Sequence, residues 1–516
     1  MPFNSILFGN EQENTAQINT EEPEFFNDLN LDQVVEKITS PKSEYNLKPY
    51  FYSRLTHKET ILFRQSIFRD LETPALFELI NHFAEKMVIA RQYLKNIDKL
   101  NYHHHQQGWF LESASVYCDA VSSLAAGLSS MELTSQGLMD FREYINGITK
   151  SIEFNELAAD AENLKTKLSA VQYSIVIKSN YVRVQRYKGE IEYSSEVEKT
   201  FDRFRQGEVK NHKVDLITRA GMDHVEAQIL KGVVKLFPEI FKELDQFCLK
   251  HNNFIDQLIL TFDREIQFYI ATIEFASKIK ELGLEFCYPR ITERKGNIQA
   301  SNAYDIALAN QYFSGDAPIV CNDFAIKNKE RIIVVTGPNQ GGKTTFARMF
   351  GQLHFFACLG CPVSASDANL LLFDQIFTHF EKEEKIQNLR GKLKDDLVRI
   401  HRSLQQATSN SLFIINEIFT STTLQDAAFL GEQILEEIAR LDSLCVFVTF
   451  LDELSRMGEQ TISMMSTVVA ENPVERTFKI VRKPADGLSF AICIAEKHNL
   501  TYSKIKERIN NESKTA

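Results

Sequence analysis

A glycine-rich loop at residues 337–345 is the feature that most constrains the fold of this chain of 516 residues. The loop follows the apolar run 331–336, which predicts a buried strand, and a pattern that starts near Lys343 predicts a helix. Residues 337–344 match the pattern G-x4-G-K-[ST]. The residues of the loop are Gly337, Pro338, Asn339, Gln340, Gly341, Gly342, Lys343, Thr344 and Thr345. Between a strand and a helix, this pattern predicts a nucleotide-binding site rather than an ordinary glycine turn.

The residue types of the loop suit a polyphosphate that binds together with a metal ion. Glycines at 337 and 342 allow the backbone to curl until its N–H groups face the phosphates. Lys343 then reaches the β and γ oxygens, and Thr344 offers its hydroxyl to Mg²⁺. The positive end of the following helix adds to the attraction for anions. We therefore expect the loop to hold a nucleotide and Mg²⁺.

Composition limits the classes of protein to which the chain can belong. Apolar residues make up 44% of the sequence, which is enough for a sizeable core. No apolar run approaches the ~18 residues that span a bilayer, and the start lacks signal-peptide features, so we expect a cytoplasmic protein without a membrane partner. Eight cysteines are too sparse for a disulfide framework. The net charge of −11 argues against a uniformly basic nucleic-acid binder but not against a local basic surface.

Residue patterns divide the chain into three parts. Residues 1–45 are acidic and polar with scattered phenylalanines, so we expect an extended arm or short helices there. Through residues 46–295, apolar residues recur every three or four positions, which predicts a mostly helical domain. Residues 296–516 contain the loop and form the predicted α/β domain. Within the helical part, we expect the three histidines at 103–105 to form an exposed turn rather than a metal site.

One segment interrupts the helical pattern. Residues 171–188 are β-branched and aromatic with alternating polarity, which predicts a β-hairpin that turns at Ser179 and Asn180. The wider segment 171–213 contains nine Lys or Arg and six Asp or Glu, so its net charge is +3. These side chains can contact DNA phosphates, or they can belong to a solvated hairpin that only stiffens the helices. The candidate DNA contacts are Lys178, Arg183, Arg186 and Lys188.

The loop and the segments around it resemble the DNA mismatch-repair MutS family. The loop is similar to the family's Gly-Pro-Asn-Met-Gly-Gly-Lys-Ser sequence, and the similarity continues through roughly the last 200 residues in the family's order. The matching segments are 318–323 before the loop and 360–365, 374–379, 412–418 and 448–454 after it. The helical part resembles the family's core and lever helices more weakly, and the predicted hairpin lies where the family inserts its DNA clamp.

The resemblance implies an α plus α/β protein, in which a helical core and lever precede an ABC-type P-loop ATPase domain. It implies an ATP-gated clamp that uses ATP and Mg²⁺ and acts on mismatched, branched or duplex DNA in repair or recombination. A homodimer through the ATPase domain is also implied, with Asp426 in the loop that faces the partner subunit. Ile319 matches a position that holds the adenine. Because the chain has no room for the family's mismatch-reading domain, we do not expect direct mismatch reading.

The chain departs from the family at positions that carry the chemistry. Asn416 replaces the acidic residue that holds Mg²⁺ through a water, whereas Glu417, which would polarise the attacking water, is present. Phe450 replaces a histidine expected to sense the γ-phosphate, and Gly391 replaces a serine that reaches the partner's ATP. Ile319 stands where the family often has an aromatic residue. We therefore expect Asn416 and Glu417 to support slow hydrolysis, with nucleotide binding retained.

Two other functions compete with this interpretation. A nucleotide-gated scaffold that binds protein partners and little DNA would have the same loop. The salt dependence of DNA affinity separates the two, because phosphate contacts make affinity fall steeply with salt. A transporter ATPase subunit agrees less well with the sequence, because the Leu-Ser-Gly-Gly-Gln signature of that class is missing.

Overall fold

In the computed structural model, contacts group the chain into two units that do not follow its linear order. The structure describes residues 3–9, 18–178, 181–190, 222–312, 319–381, 391–469, 472–485 and 500–506. The first unit combines residues 1–4 with 70–263, and the second combines residues 5–69 with 264–516. The division into an arm (1–45), a helical domain (46–295) and an ATPase domain (296–516) stays a prediction.

The segment that opens the second unit consists of short helices. They are α1 (Phe25–Asp28), α2 (Leu31–Thr39), α3 (Lys48–Tyr52) and α4 (Lys58–Leu71), with a 3-10 helix at Ser40–Tyr45 between α2 and α3. The last two residues of α4 belong to the first unit. One face of α2 is buried through Val34, Val35 and Ile38, which recur at the helical spacing of three to four residues. This segment therefore belongs to a packed core.

A buried carboxylate anchors the start of the chain in the second unit. Ile6 and Leu7 are fully buried. Glu265 accepts hydrogen bonds from the hydroxyl of Ser5 at 2.9 Å and from the backbone N–H of Ile6 at 2.8 Å. Arg64 Nε donates to the carbonyl of Leu7 at 2.9 Å. These bonds satisfy backbone groups that burial would otherwise leave unpaired.

The first unit is mainly helical. Its elements are α5 (Pro74–Ile97), α6 (His103–Ser129), α7 (Gln136–Lys150), α8 (Ile152–Ser169), β1 (Tyr173–Lys178), β2 (Tyr181–Arg186), α9 (His224–Leu236) and α10 (Pro238–Lys250). Helix α11 (Gln257–Lys280) begins in this unit and ends in the second. The exposed turn predicted at 103–105 is wrong, because these histidines form the first turn of α6. The residues at the start of this helix are polar, and its buried face begins only at Gln107, so the sequence pattern did not reveal where the helix starts.

The antiparallel strands β1 and β2 lie in the segment for which the sequence predicts a hairpin. Tyr173 pairs with Arg186 at one end of the ladder, and Lys178 pairs with Tyr181 at the other. The predicted turn residues, Ser179 and Asn180, lie outside the described residues, as does 191–213, which carries much of the predicted basic segment.

The second unit contains two sheets with helices. Its elements after α11 are β3 (Arg290–Thr292), β4 (Asn297–Ala303), α12 (Ile306–Gln311), β5 (Asn322–Lys327), β6 (Ile332–Thr336), α13 (Lys343–Cys358), β7 (Asp367–Leu371), β8 (Ile376–His379), α14 (Lys392–Gln406), β9 (Leu412–Asn416), α15 (Leu424–Arg440), β10 (Leu444–Val448), a 3-10 helix (Asp452–Arg456), β11 (Thr461–Val469) and β12 (Asn472–Arg482). The larger sheet has the order β12-β11-β6-β10-β9-β8, and the smaller has the order β3-β7-β4-β5.

The larger sheet is parallel except at one edge. Strands β6, β9 and β10 are buried at every position, and their β-branched and aromatic residues match strands covered on both faces. Only β12 runs antiparallel to its neighbour, β11. This sheet and the helices of both units confirm the α plus α/β class. Every helix among the described residues is too short or too polar to cross a membrane.

The anchor at Glu265 predicts a pH-dependent stability. Burial raises the pKa of Glu265 from 4.5 to about 7, against an opposing effect of its hydrogen bonds and Arg64. Between these values the folded chain keeps a proton that the unfolded chain has lost, so stability falls as pH rises through this window. The fall should be on the order of 3 kcal/mol, at about 1.4 kcal/mol per pKa unit.

Urea unfolding of the parent and of Glu265→Gln from pH 4.5 to 8 tests this expectation. Glutamine keeps an oxygen acceptor for Ser5 and Ile6 but does not titrate, so the free energy of unfolding of the variant should fall less across the window. The exposed Glu281, substituted in the same way, serves as the matched control and should behave like the parent. The same pH dependence in Glu265→Gln and the parent would contradict the assignment.

Candidate nucleotide-binding site

The loop between β6 and α13 curls where its glycines allow it. Gly337 has a φ of +110° and Gly342 a φ of +87°, both in the left-handed region that a β-carbon disfavours. Gly342 is also the residue before α13, and no side chain caps the helix start. Because the first N–H groups of a helix lack intrahelical partners, this end of α13 is suited to bind an anion.

Strand β11 packs against the loop through Ser466. The hydroxyl of Ser466 donates to the carbonyl of Gly341 at 2.7 Å. A β-carbon on Gly341 would lie 2.1 Å from this hydroxyl oxygen, and one on Gly337 would lie 2.9 Å from the carbonyl oxygen of Ser466. On β12, Arg476 Nε donates to the carbonyl of Asn339 at 3.2 Å. Glycine is therefore required at 341 by the close approach of a neighbouring strand.

The ammonium group of Lys343 lies inside the curl of the loop. It donates to the carbonyls of Gly337 at 2.9 Å and Pro338 at 3.2 Å, and to Asn339 Oδ1 at 3.3 Å. It also lies 3.9 Å from the carboxylate of Glu417. The side chain is only 3% exposed, and burial lowers the pKa of Lys343 while Glu417 opposes the shift. These contacts hold a cation where the loop pattern predicts phosphates.

Two oxygen-bearing side chains meet beside the loop. The hydroxyl of Thr344, in the first turn of α13, donates to Asn416 Oδ1 at 3.0 Å. Asn416 is the last residue of the fully buried strand β9. A hydroxyl and an amide oxygen are hard donors of the kind that Mg²⁺ accepts, so these residues fit the ion. Neither brings a negative charge, which makes the pair a weaker cation site than one with a carboxylate.

Glu417 leaves the end of β9 in an uncommon backbone conformation. Its φ is +52°, and its N–H donates to the carbonyl of Val448 on β10 at 3.0 Å. Non-glycine residues with positive φ cost free energy and concentrate at functional sites. Burial raises the pKa of the Glu417 carboxyl, Lys343 lowers it, and Glu381 raises it further. A carboxyl with a raised pKa beside a lysine suits proton transfer.

A cavity of about 380 Å³ lies in front of the loop and has an apolar side. That side includes Ile319, Tyr312 and Phe478. The backbone of Phe478 has a φ of +57°, and its ring is 49% exposed. The side-chain amide of Asn322 holds this turn, because it donates to the carbonyl of Phe478 at 3.2 Å and accepts from the N–H of Ile480 at 2.7 Å.

Tyr312 and Phe478 were missed by sequence reasoning. No motif marks either residue, and Phe478 comes from β12, far along the chain from the loop. An exposed aromatic ring is the one signal that would have identified Phe478, and it requires the structure. Aromatic faces stack on nucleobases, so the cavity has an apolar part suited to a base and a polar part suited to phosphates.

Most of the predicted nucleotide-site residues line this cavity. They are Ile319, Gln340, Gly341, Gly342, Lys343, Thr344, Thr345 and Glu417. Gly337, Pro338 and Asn339 contact the ammonium of Lys343, and Asn416 contacts Thr344. Their roles in binding and chemistry stay predictions.

Two further positions of interest differ in their surroundings. The ring of Phe450 has its centroid 4.7 Å from Lys343 Nζ, which is within range of a cation–π interaction. Phe450 therefore faces the site but offers no hydrogen bond. A β-carbon on Gly391 would meet nothing within 4 Å, so a side chain there has room.

The candidate DNA contacts of the first unit lie on two faces of the β1–β2 pair. Arg186 shares a face with Val184, against which Gly232 of α9 packs closely. Its guanidinium donates to the carbonyl of Leu236 at 2.8 Å and lies 5.1 Å from the ring of Phe237. Arg186 is thus engaged in packing β2 on α9.

Lys178 and Arg183 occupy the other face. Arg183 pairs with Val176, and Lys178 with Tyr181; because side chains alternate along a strand, all four point the same way. Lys178, Tyr181 and Arg183 are exposed. Lys188 is exposed after the end of β2. The structure thus separates residues that the sequence grouped together.

The close approach of Ser466 predicts the effect of a methyl group at Gly341. Gly341→Ala should force the loop or β11 to move, at a cost of about 1–3 kcal/mol, and weaken nucleotide binding at least tenfold. Gly147→Ala is the control, since that site on α7 of the first unit has room for a β-carbon. Adding Ser466→Gly to Gly341→Ala should restore part of the affinity. Fluorescent-nucleotide binding measures all four proteins, and unchanged binding by Gly341→Ala would contradict the packing argument.

Comparison with known proteins adds an independent observation. A family model described as MutS domain V matches residues 333–514. DNA mismatch repair protein MutS of Halalkalibacterium halodurans is 26% identical over 278 residues, covering 50% of this chain and 32% of that protein. Its namesake from Thermotoga petrophila is 24% identical over 259 residues, covering 50% of this chain and 31% of that protein. Endonuclease MutS2 of Thermus thermophilus is 24% identical over 431 residues, covering 77% of this chain and 53% of that protein. The chain spans about a third of the matched MutS proteins and about half of MutS2.

Proposed function

Because the chain belongs to the MutS family, we propose that it is an ATP-dependent DNA-binding protein, an ATP-gated clamp that acts in DNA repair or recombination. One arrangement carries the proposal most directly. Lys343, Thr344 and Glu417 line one cavity, and Asn416 contacts Thr344 from behind it. In this proposal residues 296–516 are the ATPase domain and residues 46–295 the core and lever.

The nucleotide would bind with its phosphates at the start of α13. The N–H groups there and Lys343 are the donors for phosphate oxygens. On binding, Lys343 exchanges its bonds to loop carbonyls for charge-assisted bonds to phosphate. The base would occupy the apolar side of the cavity, beside Ile319 and Phe478. Phe478 would supply the aromatic face that Ile319 lacks.

Hydrolysis would be slow and would depend on Glu417. Thr344 and Asn416 would hold Mg²⁺, which when bound supplies positive charge next to the phosphates. Asn416 contributes an oxygen without a charge, so it holds the ion more weakly than a carboxylate would. Glu417 would orient the attacking water and accept its proton, and its raised pKa favours that role.

Substitutions at 417 and 416 test this division of roles. Glu417→Gln keeps the shape of the side chain but removes the base, so ATP turnover should fall by about 10²–10⁴-fold with binding intact. Asn416→Asp should raise turnover and lower the Mg²⁺ concentration needed. Lys343→Ala is the binding control, with affinity about tenfold to hundredfold weaker. Steady-state ATPase assays titrated with Mg²⁺ decide the matter, and an unchanged rate in Glu417→Gln would make the protein a nucleotide-binding switch only.

A dimer that forms through the ATPase domain is part of the proposal. Asp426 lies in the first turn of α15, and its carboxylate accepts from the hydroxyls of Thr422 at 3.2 Å and Thr423 at 2.8 Å. On the same helix Leu424 is 75% exposed and Phe429 is 61% exposed. Large exposed apolar residues beside an ordered helix start support a protein interface there.

DNA binding would use the exposed face of the β1–β2 pair. Lys178 and Arg183 offer charges to phosphates, and Tyr181 between them offers a ring. The packing of Arg186 on α9 removes it from the favoured contacts. Lys188 lies at the rim of the pair.

The double variant Lys178→Ala/Arg183→Ala tests the proposed DNA face. It should weaken binding to duplex and branched DNA and lower the slope of log affinity against log salt by about two, one for each lost phosphate contact. Lys99→Ala/Lys150→Ala removes the same charge from exposed positions elsewhere in the first unit and should keep the slope. If both variants lose affinity equally, only net charge matters and the face is not the binding site. Steep salt dependence would be missing altogether in a protein scaffold.

A further inference from the structure

The first turn of α6 and the middle of α10 bring two imidazoles and a carboxylate together. One ring nitrogen from each of His103 and His104 and one carboxylate oxygen of Asp245 all lie within 4.8 Å of one another. His103 Nε2 lies 3.1 Å from Asp245 Oδ1. Both helices belong to the first unit, so the backbone of a single unit fixes the three positions. No other group of three such residues occurs in the part of the chain that the structure describes.

Neighbouring side chains orient this cluster. His104 Nδ1 lies 2.8 Å from Gln107 Oε1, and Gln107 Nε2 donates to Asp245 Oδ1 at 2.5 Å. The ring of His104 also packs edge-on against Phe241 of α10, with centroids 5.2 Å apart. Because an amide oxygen only accepts, His104 Nδ1 donates to Gln107 Oε1. A second hydrogen bond that fixes the tautomer is the usual companion of a metal-binding histidine.

We propose that His103, His104 and Asp245 form a binding site for a divalent transition-metal ion of the Zn²⁺ class. Two imidazole nitrogens with one carboxylate suit Zn²⁺ or Co²⁺ better than Mg²⁺ or Ca²⁺, which prefer oxygen ligands. Three protein ligands leave further coordination positions to water.

The three ligand atoms must move slightly closer together to bind an ion. Tetrahedral bonds of about 2.0 Å require ligand atoms roughly 3.3 Å apart. His103 can supply the movement, because its side chain is 68% exposed. The positive end of α6 opposes a cation, and the negative charge of Asp245 offsets that effect.

Among the described residues, His251 with Asp160 and His379 with Asp396 each pair a single imidazole with a carboxylate. His251 Nε2 lies 2.9 Å from Asp160 Oδ2, but the ammonium of Lys250 lies 3.0 Å from the same oxygen. A cation already beside the carboxylate disfavours a metal ion there. His251 is therefore a matched control within the same unit.

Zn²⁺ titration of the full chain, purified without a histidine tag and treated with chelator, tests the proposal. Calorimetry should give one equivalent with micromolar or tighter affinity, and Co²⁺ should give visible absorption bands of a coordinated ion. Since the ion joins α6 to α10, Zn²⁺ at about 100 times its Kd should raise the melting temperature by roughly 5–10 °C. Mg²⁺ at the same concentration should not. An equal effect of Mg²⁺ would overturn the proposal.

Variants locate the site. His104→Ala and Asp245→Asn should each weaken Zn²⁺ binding at least tenfold and remove the rise in melting temperature, whereas His251→Ala should bind as the parent does. His103→Ala is the second test, because this exposed side chain can be removed without disturbing the contact of His104 with Phe241. Unchanged Zn²⁺ affinity in His103→Ala and Asp245→Asn would show that these residues only link the helices by hydrogen bonds.

Discussion

The register of three buried parallel strands determines where the chemistry of the candidate site lies. Val448 of β10 pairs with Val335 of β6 on one side and with Asn416 of β9 on the other. The strands therefore end level with one another, and the residues that follow them emerge side by side: the glycine loop after β6, Glu417 after β9 and Phe450 after β10. A shift of one residue in this register would turn Asn416 away from Thr344. Since the strands are buried on both faces, such a shift is costly.

The same constraint explains how the site balances charge around one buried cation. Lys343 lies among loop carbonyls, with the ring of Phe450 on one side and Glu417 within 3.9 Å. Each neighbour offers negative charge or a negative ring face, which offsets part of the cost of burying an ammonium group. Asn416 is neutral, so among the described residues Glu417 brings the full negative charge that lies beside Lys343. The carboxylate beside the lysine is thus also the proposed base.

The local sequence pattern was sufficient to predict the loop. The residues that pack against it from distant parts of the sequence could be identified only from the structure. The glycines, Lys343 and Thr344 follow from a motif whose spacing encodes a backbone shape. Ser466, Phe478 and Asn322 carry no motif, because their positions depend on how β11, β12 and β5 pack. The DNA candidates show a similar limit, since only the pairing register places Lys178 of β1 and Arg183 of β2 on one face. At 103–105 the sequence shows three histidines. The carboxylate that lies beside His103 and His104 belongs to Asp245 on another helix, so the sequence does not reveal the cluster.

The way in which the second unit is assembled has a consequence for biosynthesis. Residues 5–69 leave the ribosome early, yet they pack with residues after 264. Arg64 donates to the carbonyl of Leu359, and Gln352 to the carbonyl of Leu29, both over 290 positions apart in sequence. During translation the residues of the first unit are made before residue 264. Until the later residues follow, apolar side chains such as Ile6, Phe26 and Val34 lack the neighbours that bury them in the second unit. Transiently exposed apolar surface of this kind is prone to aggregate, so residues 5–69 are the part of the second unit most exposed to that risk before its later residues are made.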